Sequence, residues 1–475
     1  MLTPAVGTQR ASGPSPSLIT SIAGHQSRLI VCRPSFIKRH PRHPRPSKIV
    51  SNAYDPRNAQ QIASSVATPH SGYHFDGTPR RFFEGWYWRV TLPGDGQSFA
   101  LIYSIEDPIG KGEFSGVGAQ VMGPEDGYLL QYSKDISSFW AARQNLALGT
   151  TFRSTTPSSQ NSSPPKGVIP ESEFNKKVAE GFQASSTWHQ GSIIAAEDGA
   201  SGILKSTVSS CNWAFSIEPK VGWGDEGGRQ RATAGWLASL PVFEPHWQVL
   251  MAHGEATGWV EWDGKRYNFT DAPCYAEKNW GGGFPTRWSW IQCNSFESSP
   301  GTSVTAVGAR RGLMKLPGVL EDVGLIGIHH QGAFYELNVK DSEIEWDVQP
   351  WGQWKISGKN ELFEAVVEAT CDMPGTPLRA PTADQGLAPF CRDSFGGVVR
   401  IRVWKAGGQA AGALPVIDLT SENKSGAVEV GGGPWWSGWQ TRAEMSEPVR
   451  RLLNLPLDVE ALTDWVPSML RPPGL

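Results

Sequence analysis

The stretch Phe82-Phe83-Glu84-Gly85-Trp86-Tyr87-Trp88-Arg89-Val90-Thr91-Leu92 decides the fold class. Trp86, Trp88, Val90 and Leu92 alternate with Tyr87, Arg89 and Thr91, the period-2 pattern of a strand with one apolar face. Phe99, Leu101, Tyr103 and Ile105 repeat it. Further along, Trp259 to Trp262 and Arg266 to Phe269 flank Asp263-Gly264. Both of those turn residues tolerate positive φ, so the two runs read as a hairpin. Trp288, Trp290, Gln292 and Asn294 share one face of a later strand, with Ser289, Ile291 and Cys293 on the other. Helical spacing is confined to the C-terminal end, where Val449, Leu452, Leu453, Val459, Leu462 and Trp465 recur. The chain therefore reads as all-β, with a short C-terminal helical segment.

A length of 475 residues favours two or three domains. Glu84-Gly85-Trp86-Tyr87-Trp88 is weakly echoed by Glu277-Lys278-Asn279-Trp280 with Trp288-Ser289-Trp290, which predicts two β-barrels, over 68–255 and 256–447. Residues 154–170 are Ser- and Pro-rich and read as a disordered insertion. Residues 448–475 read as a helical tail that caps a barrel end, with contact to a lipid surface as the alternative.

Charge is unevenly placed. The first acidic residue is Asp55, and the Ser-rich segment before it carries eight of the 43 Lys and Arg, leaving 35 basic against 46 acidic side chains beyond it. Residues 1–54 thus resemble an organelle transit peptide, because no compact apolar core follows the basic start. The acidic body argues against nucleic acid as a partner, since phosphates demand basic patches. No run of roughly 18 apolar residues is present, so membrane contact is expected to be peripheral. The six cysteines contain no CxxC pair, which disfavours a zinc ribbon and fits buried free thiols.

Five segments resemble the tocopherol cyclase family. They are Thr68-Pro69-His70-Ser71-Gly72-Tyr73-His74, Arg81 to Tyr87, Pro245-His246-Trp247-Gln248-Val249-Leu250-Met251, Tyr275 to Pro285, and Val428-Glu429-Val430-Gly431-Gly432-Gly433-Pro434-Trp435-Trp436. The wider relatives are carotenoid hydratases, so the resemblance implies two lipocalin-like barrels with the active site in or between them. It also implies a chloroplast enzyme, with plastoglobule association, that acts on a methylated benzoquinol bearing a phytyl tail. A proton added to the less substituted alkene carbon leaves a tertiary cation, which the phenol oxygen captures to give a chromanol. No cofactor is required.

That chemistry asks for a carboxyl kept neutral by apolar surroundings, aromatic faces beside the cation, and exclusion of water. The first choice of acid is Glu277, which with Tyr275 resembles the Tyr-x-Asp pair of related hydratases; Asp271 is the rival. Strand alternation is expected to turn Lys278 away from Glu277. Asn279 is a hydrogen-bond partner for the acid, and Trp280, Trp247 and Trp259 are cation shields, with Trp86 a further aromatic lining residue. His253 is a candidate base for the phenol proton, and Glu84 is expected to be structural. The histidines match no standard metal-site spacing. An isoprenoid hydratase and a non-catalytic prenylquinone carrier remain alternative readings, and the oligomeric state is open.

Overall fold

A computed structural model describes residues 67–475 except 93, 95, 156–162, 196–204, 240–243, 313–319, 434, 436, 454, 456–464, 467–472 and 475. The expected transit segment lies outside the described residues, as do residues 156–162 of the Ser/Pro insertion; residues 163–170 lead into a short helix over Glu171–Lys177, and the Ile169 backbone N–H donates to Gln183 Oε1 at 3.0 Å.

Strands β1 (Phe83–Leu92), β2 (Gln97–Glu106), β3 (Gly116–Gly123) and β4 (Gly127–Ser133) form one antiparallel meander. A second meander contains β5 (Trp140–Ala141), β6 (Ala147–Ser154), β7 (Val178–Ser185), β8 (Trp188–Ile194), β9 (Ser210–Val221), β10 (His246–Trp262) and β11 (Lys265–Gly281). Pairing of β11 with β1 joins them into one 11-stranded sheet. The Asp263-Gly264 hairpin forms as the sequence predicts, with φ of 49° and 81°.

The second sheet begins with β12 (Arg287–Cys293), β13 (Ser303–Gly312), β14 (Leu320–His330) and β15 (Ala333–Asn338). It continues through β16 (Glu343–Val348), β17 (Gln353–Lys359), β18 (Phe363–Thr370) and β19 (Thr376–Thr382). The long β20 (Gly386–Lys405), β21 (Ile417–Thr420), β22 (Gly426–Gly431) and β23 (Trp439–Arg442) complete its 12 strands. An antiparallel bridge between Asp322 and Glu444 brings its two ends together.

Two expectations about domain organisation are corrected. The division at 255/256 falls inside β10, and the first sheet runs on to Gly281 because β11 pairs with β1. The echoed segments are not equivalent openings of two barrels either. Glu84 stands opposite Trp280 across the β1–β11 ladder, so both belong to one sheet. At the C-terminus a helix forms over Glu447–Leu453; most of the residues after it lie outside the described ones, and Trp465 is 89% exposed. Among the described residues no helix is long and apolar enough to cross a membrane.

Alternation distributes side chains into three buried layers. Trp86, Trp88, Val90 and Leu92 point into the first sheet with Phe99, Leu101 and Trp213. Ile291, Val304, Ile326, Trp346 and Val428 fill the second. The third layer lies between the sheets and holds Tyr275, Trp288, Trp290, Trp223 and Phe395, with Tyr87, Trp247 and Phe284 against them. Each fully buried large apolar side chain contributes about 1.5–3 kcal/mol, so this layer holds the sheets together. It also leaves an apolar cavity in the seam.

Candidate active site between the two sheets

Alternation along β11 sends Tyr275, Glu277 and Asn279 toward the second sheet and Ala276, Lys278 and Trp280 the other way. Tyr87 of β1 stands directly opposite Glu277, and Trp247 of β10 opposite Asn279. From the second sheet come Trp288 and Trp290 of β12, with Glu429 of β22 opposite Trp290. Tyr87, Trp247, Glu277, Asn279, Trp288, Trp290 and Glu429 all line a cavity of about 490 Å³, within the usual range for a small-molecule site. Tyr87, Tyr275 and Trp290 form an aromatic triangle with ring centroids 5.7–6.3 Å apart.

The Tyr275 hydroxyl donates to Glu277 Oε2 at 2.6 Å. Burial pushes the Glu277 carboxyl up to about 7, against the hydrogen bonds from Tyr275 and Trp247, and the charge of Glu429 pushes it further the same way. Burial likewise raises Glu429 to about 7, opposed by the indole N–H of Trp288, which donates to Oε1, and by the Cys391 thiol. Next to it on β20, Asp393 stands opposite Glu429; both its oxygens are buried without a hydrogen-bond partner, and burial raises it well above the ordinary carboxylate range. Tyr275 and Tyr87 are raised well above the phenol range by burial, so both stay protonated. The site therefore carries carboxyls that are partly neutral at pH 7, facing rings.

Gly431 is required by this arrangement. The Trp288 ring occupies the space that a Cβ at 431 would fill, at 2.0 Å from its ideal position. Any side chain there would move Trp288 away from Glu429.

Of the residues singled out from the sequence, Glu277, Tyr275, Asn279 and Trp247 meet at the cavity. Asp271 does not. A bulge on β11 opposite Thr257 inserts a residue, holds Asp271 at φ 50° and turns it to solvent, where Thr257 Oγ1 is its partner. Trp259 sits near the β10–β11 turn with the Arg266 guanidinium 3.8 Å from its ring centre, away from the cavity. Trp280 is on the opposite face, stacked on His74 at 3.9 Å, and Trp86 is in the core of the first sheet. Glu84 is fully buried and pairs with Lys278 at 2.5 Å, while its Oε2 accepts the His74 backbone N–H. His253 is buried, and burial lowers its pKa, but it does not line the cavity. Among the described residues no group of three or more His, Cys, Asp and Glu is placed to hold a metal ion.

Glu429, Trp288 and Trp290 were not assigned to the site from the sequence. A signal for Glu429 exists: one acid stands between Val428 and Val430 in an otherwise apolar strand. Outward-facing charge normally meets water, and only the contact between sheets buries it here.

The tocopherol cyclase-like family model matches residues 80–432. The chain belongs to that family. It is 44% identical over 443 residues, 90% of either chain, to the chloroplastic tocopherol cyclase of Zea mays. It is 43% identical to a protein of Oryza sativa subsp. japonica designated "Probable tocopherol cyclase, chloroplastic", covering 86% of this chain and 88% of that one. Among solved structures it overlaps a Nitrosomonas europaea protein designated "putative AttH" at 12% identity and a TM-score of 0.39, over 76% of this chain and 95% of that one. Kievitone hydratase from Nectria haematococca overlaps at 10% identity and 0.39, over 76% and 91%. These overlaps are too loose to bear on the site, and the family assignment rests on sequence.

Tyr275→Phe removes the hydroxyl that donates to Glu277. A hydrogen bond to a carboxylate favours the charged form, so its removal raises the pKa of Glu277 above about 7. With a charge-assisted bond worth roughly 1.5–3 kcal/mol, the high-pH fall in turnover is expected to move up by about 1–2 pH units, with kcat at pH 7 lowered about tenfold. A kcat–pH profile identical to wild type would mean that the Tyr275–Glu277 hydrogen bond does not govern turnover.

Proposed function

We propose that this protein is a chloroplast tocopherol cyclase, an intramolecular lyase that closes the chromanol ring of phytyl benzoquinols. The observation that carries the reading is a carboxyl raised to about 7 on the wall of a ring-lined cavity, in a chain of this family. Glu277 gives its proton to the less substituted carbon of the first prenyl double bond. The Tyr275 hydroxyl holds the carboxyl through Oε2.

The cation forms at the tertiary carbon. The aromatic faces of Tyr87, Trp247 and Trp290 attract it by roughly 0.5–2 kcal/mol each when desolvated. The seam between the sheets keeps water away, because water reaching the cation would produce a tertiary alcohol in place of the ring. Asn279, across the ladder from Trp247, orients a quinol hydroxyl in this reading. No redox change or cofactor enters the balance. Acid-free residues 1–54 and the chloroplastic relatives support plastid import, and an apolar substrate fits action at a lipid surface such as the plastoglobule.

The purified protein, given reduced dimethyl-phytyl-benzoquinol in deuterated water with a chelator present, is expected to yield γ-tocopherol. It should carry one deuterium on the ring carbon next to the new C–O carbon. A tertiary alcohol would make the protein a hydratase, unchanged bound quinol would make it a carrier, and product without deuterium would remove alkene protonation from the mechanism.

A further inference from the structure

We infer that Glu429 is the base of the reaction: it takes the phenol proton as the oxygen closes on the cation, so that the two sheets supply one proton donor and one acceptor. The inference rests on the cyclase reading and deepens it.

Ring closure is an isomerisation, and its proton balance fixes what the site must hold. The alkene π pair forms a C–H bond with the Glu277 proton. An oxygen lone pair forms the C–O bond, and the O–H bond breaks with its electrons returning to oxygen. One proton enters and one leaves in each turnover, at atoms separated by a single carbon. If acid and oxygen approach opposite faces of the double bond, the leaving proton appears on the side away from Glu277.

Glu429 occupies that side. It reaches the same cavity from the opposite sheet, on the outward face of a strand whose Val428 belongs to the second core. Two of the cations on the cavity wall are paired to other carboxylates, Arg231 with Glu336 at 2.9 Å and Arg311 with Glu321 at 3.6 Å. The Trp288 indole N–H holds Glu429 through Oε1 and fixes the carboxyl against the cavity. The charge of Glu429 raises Glu277, and like-charged neighbours ionise one at a time. An ionised Glu429 thus favours the protonated form of Glu277, the pairing of donor and acceptor that this balance demands.

Around Glu429 the facing titratable groups are Cys391 and Asp393 of β20, Tyr87 of β1 and Glu277 of β11. His246 of β10, Arg311 of β13, Glu336 of β15 and Arg229, Arg231 and Lys340 line the remaining wall.

The test is Glu429→Gln, which keeps an oxygen for the Trp288 N–H. Cyclisation is expected to fall about 10²-fold, and the rise of kcat with pH on the acid side should disappear. In deuterated water the variant should still exchange the alkene hydrogen of recovered quinol, because protonation by Glu277 continues without capture. Glu429→Asp, one methylene shorter, should retain the acid-side rise with kcat about tenfold down, and it decides the matter if the Gln variant does not fold. The inference is overturned if Glu429→Gln cyclises within threefold of wild type, if exchange and cyclisation disappear together in a folded variant, or if Glu429→Asp is indistinguishable from wild type. Failure of the wild-type protein to form chromanol would instead overturn the cyclase reading.

Discussion

Glu277→Gln is expected to lower chromanol formation by about 10²–10⁴-fold, the usual contribution of a positioned general acid, while quinol binding persists. The amide matches the carboxyl in shape and still accepts the Tyr275 hydroxyl, but it has no acidic proton for an alkene. Product analysis and quenching of tryptophan fluorescence by bound quinol read the two quantities separately. The same variant should stabilise the fold at alkaline pH. Burial raises the folded pKa of Glu277 from 4.5 to about 7, so the folded state binds the proton more tightly than the unfolded chain. The benefit is fully present below pH 4.5 and is lost as pH rises through about 7. Above that, an ionised Glu277 costs on the order of 1–3 kcal/mol, which Gln removes. Thermal midpoints at pH 5 and pH 8 should thus diverge between the proteins, the variant melting a few degrees higher only at pH 8. Near-normal turnover in this variant would transfer the acid's role elsewhere, and an equal midpoint at pH 8 would mean that Glu277 is solvated.

The strand pattern around Glu277 was legible because alternation is local. Tyr275, Glu277 and Asn279 share a face by spacing alone, and Lys278 had to point the other way. Asp271 shares that parity with Tyr275, yet one bulge residue opposite Thr257 breaks the count and leaves it in solvent. Trp259 failed for a related reason: its strand is right, but its place along the strand is the turn end, which periodicity does not report. Glu429, Trp288 and Trp290 were hidden at a deeper level. Their outward face becomes an interior only when a second sheet covers it, and the register between sheets is written in shape and area, not in spacing. The His70 to His74 motif is informative for another purpose. It lies over the β1–β11 junction, where Glu84 and Lys278 are buried.

That junction gives the largest expected effect on stability. Lys278 and Glu84 are both 0% exposed, with Nζ 2.5 Å from Oε1, and the ammonium also donates to the Gly72 carbonyl at 2.6 Å. Burial lowers the Lys278 pKa and raises that of Glu84, so each depends on the other to remain charged. Lys278→Met strands the carboxylate and is expected to cost about 3–5 kcal/mol, whereas removing both charges in Lys278→Met with Glu84→Gln should recover most of it. A double-mutant cycle on denaturant unfolding measures the difference. The site is coupled to this pair through the ladder, since Trp86 opposite Lys278 sets Tyr87 opposite Glu277. The double variant should therefore cyclise quinol at close to the wild-type rate, while the single variant loses activity in step with its folded fraction. A single variant within about 1 kcal/mol of wild type would show that the ammonium is replaceable by water, and that something other than this pair fixes the junction that presents the acid.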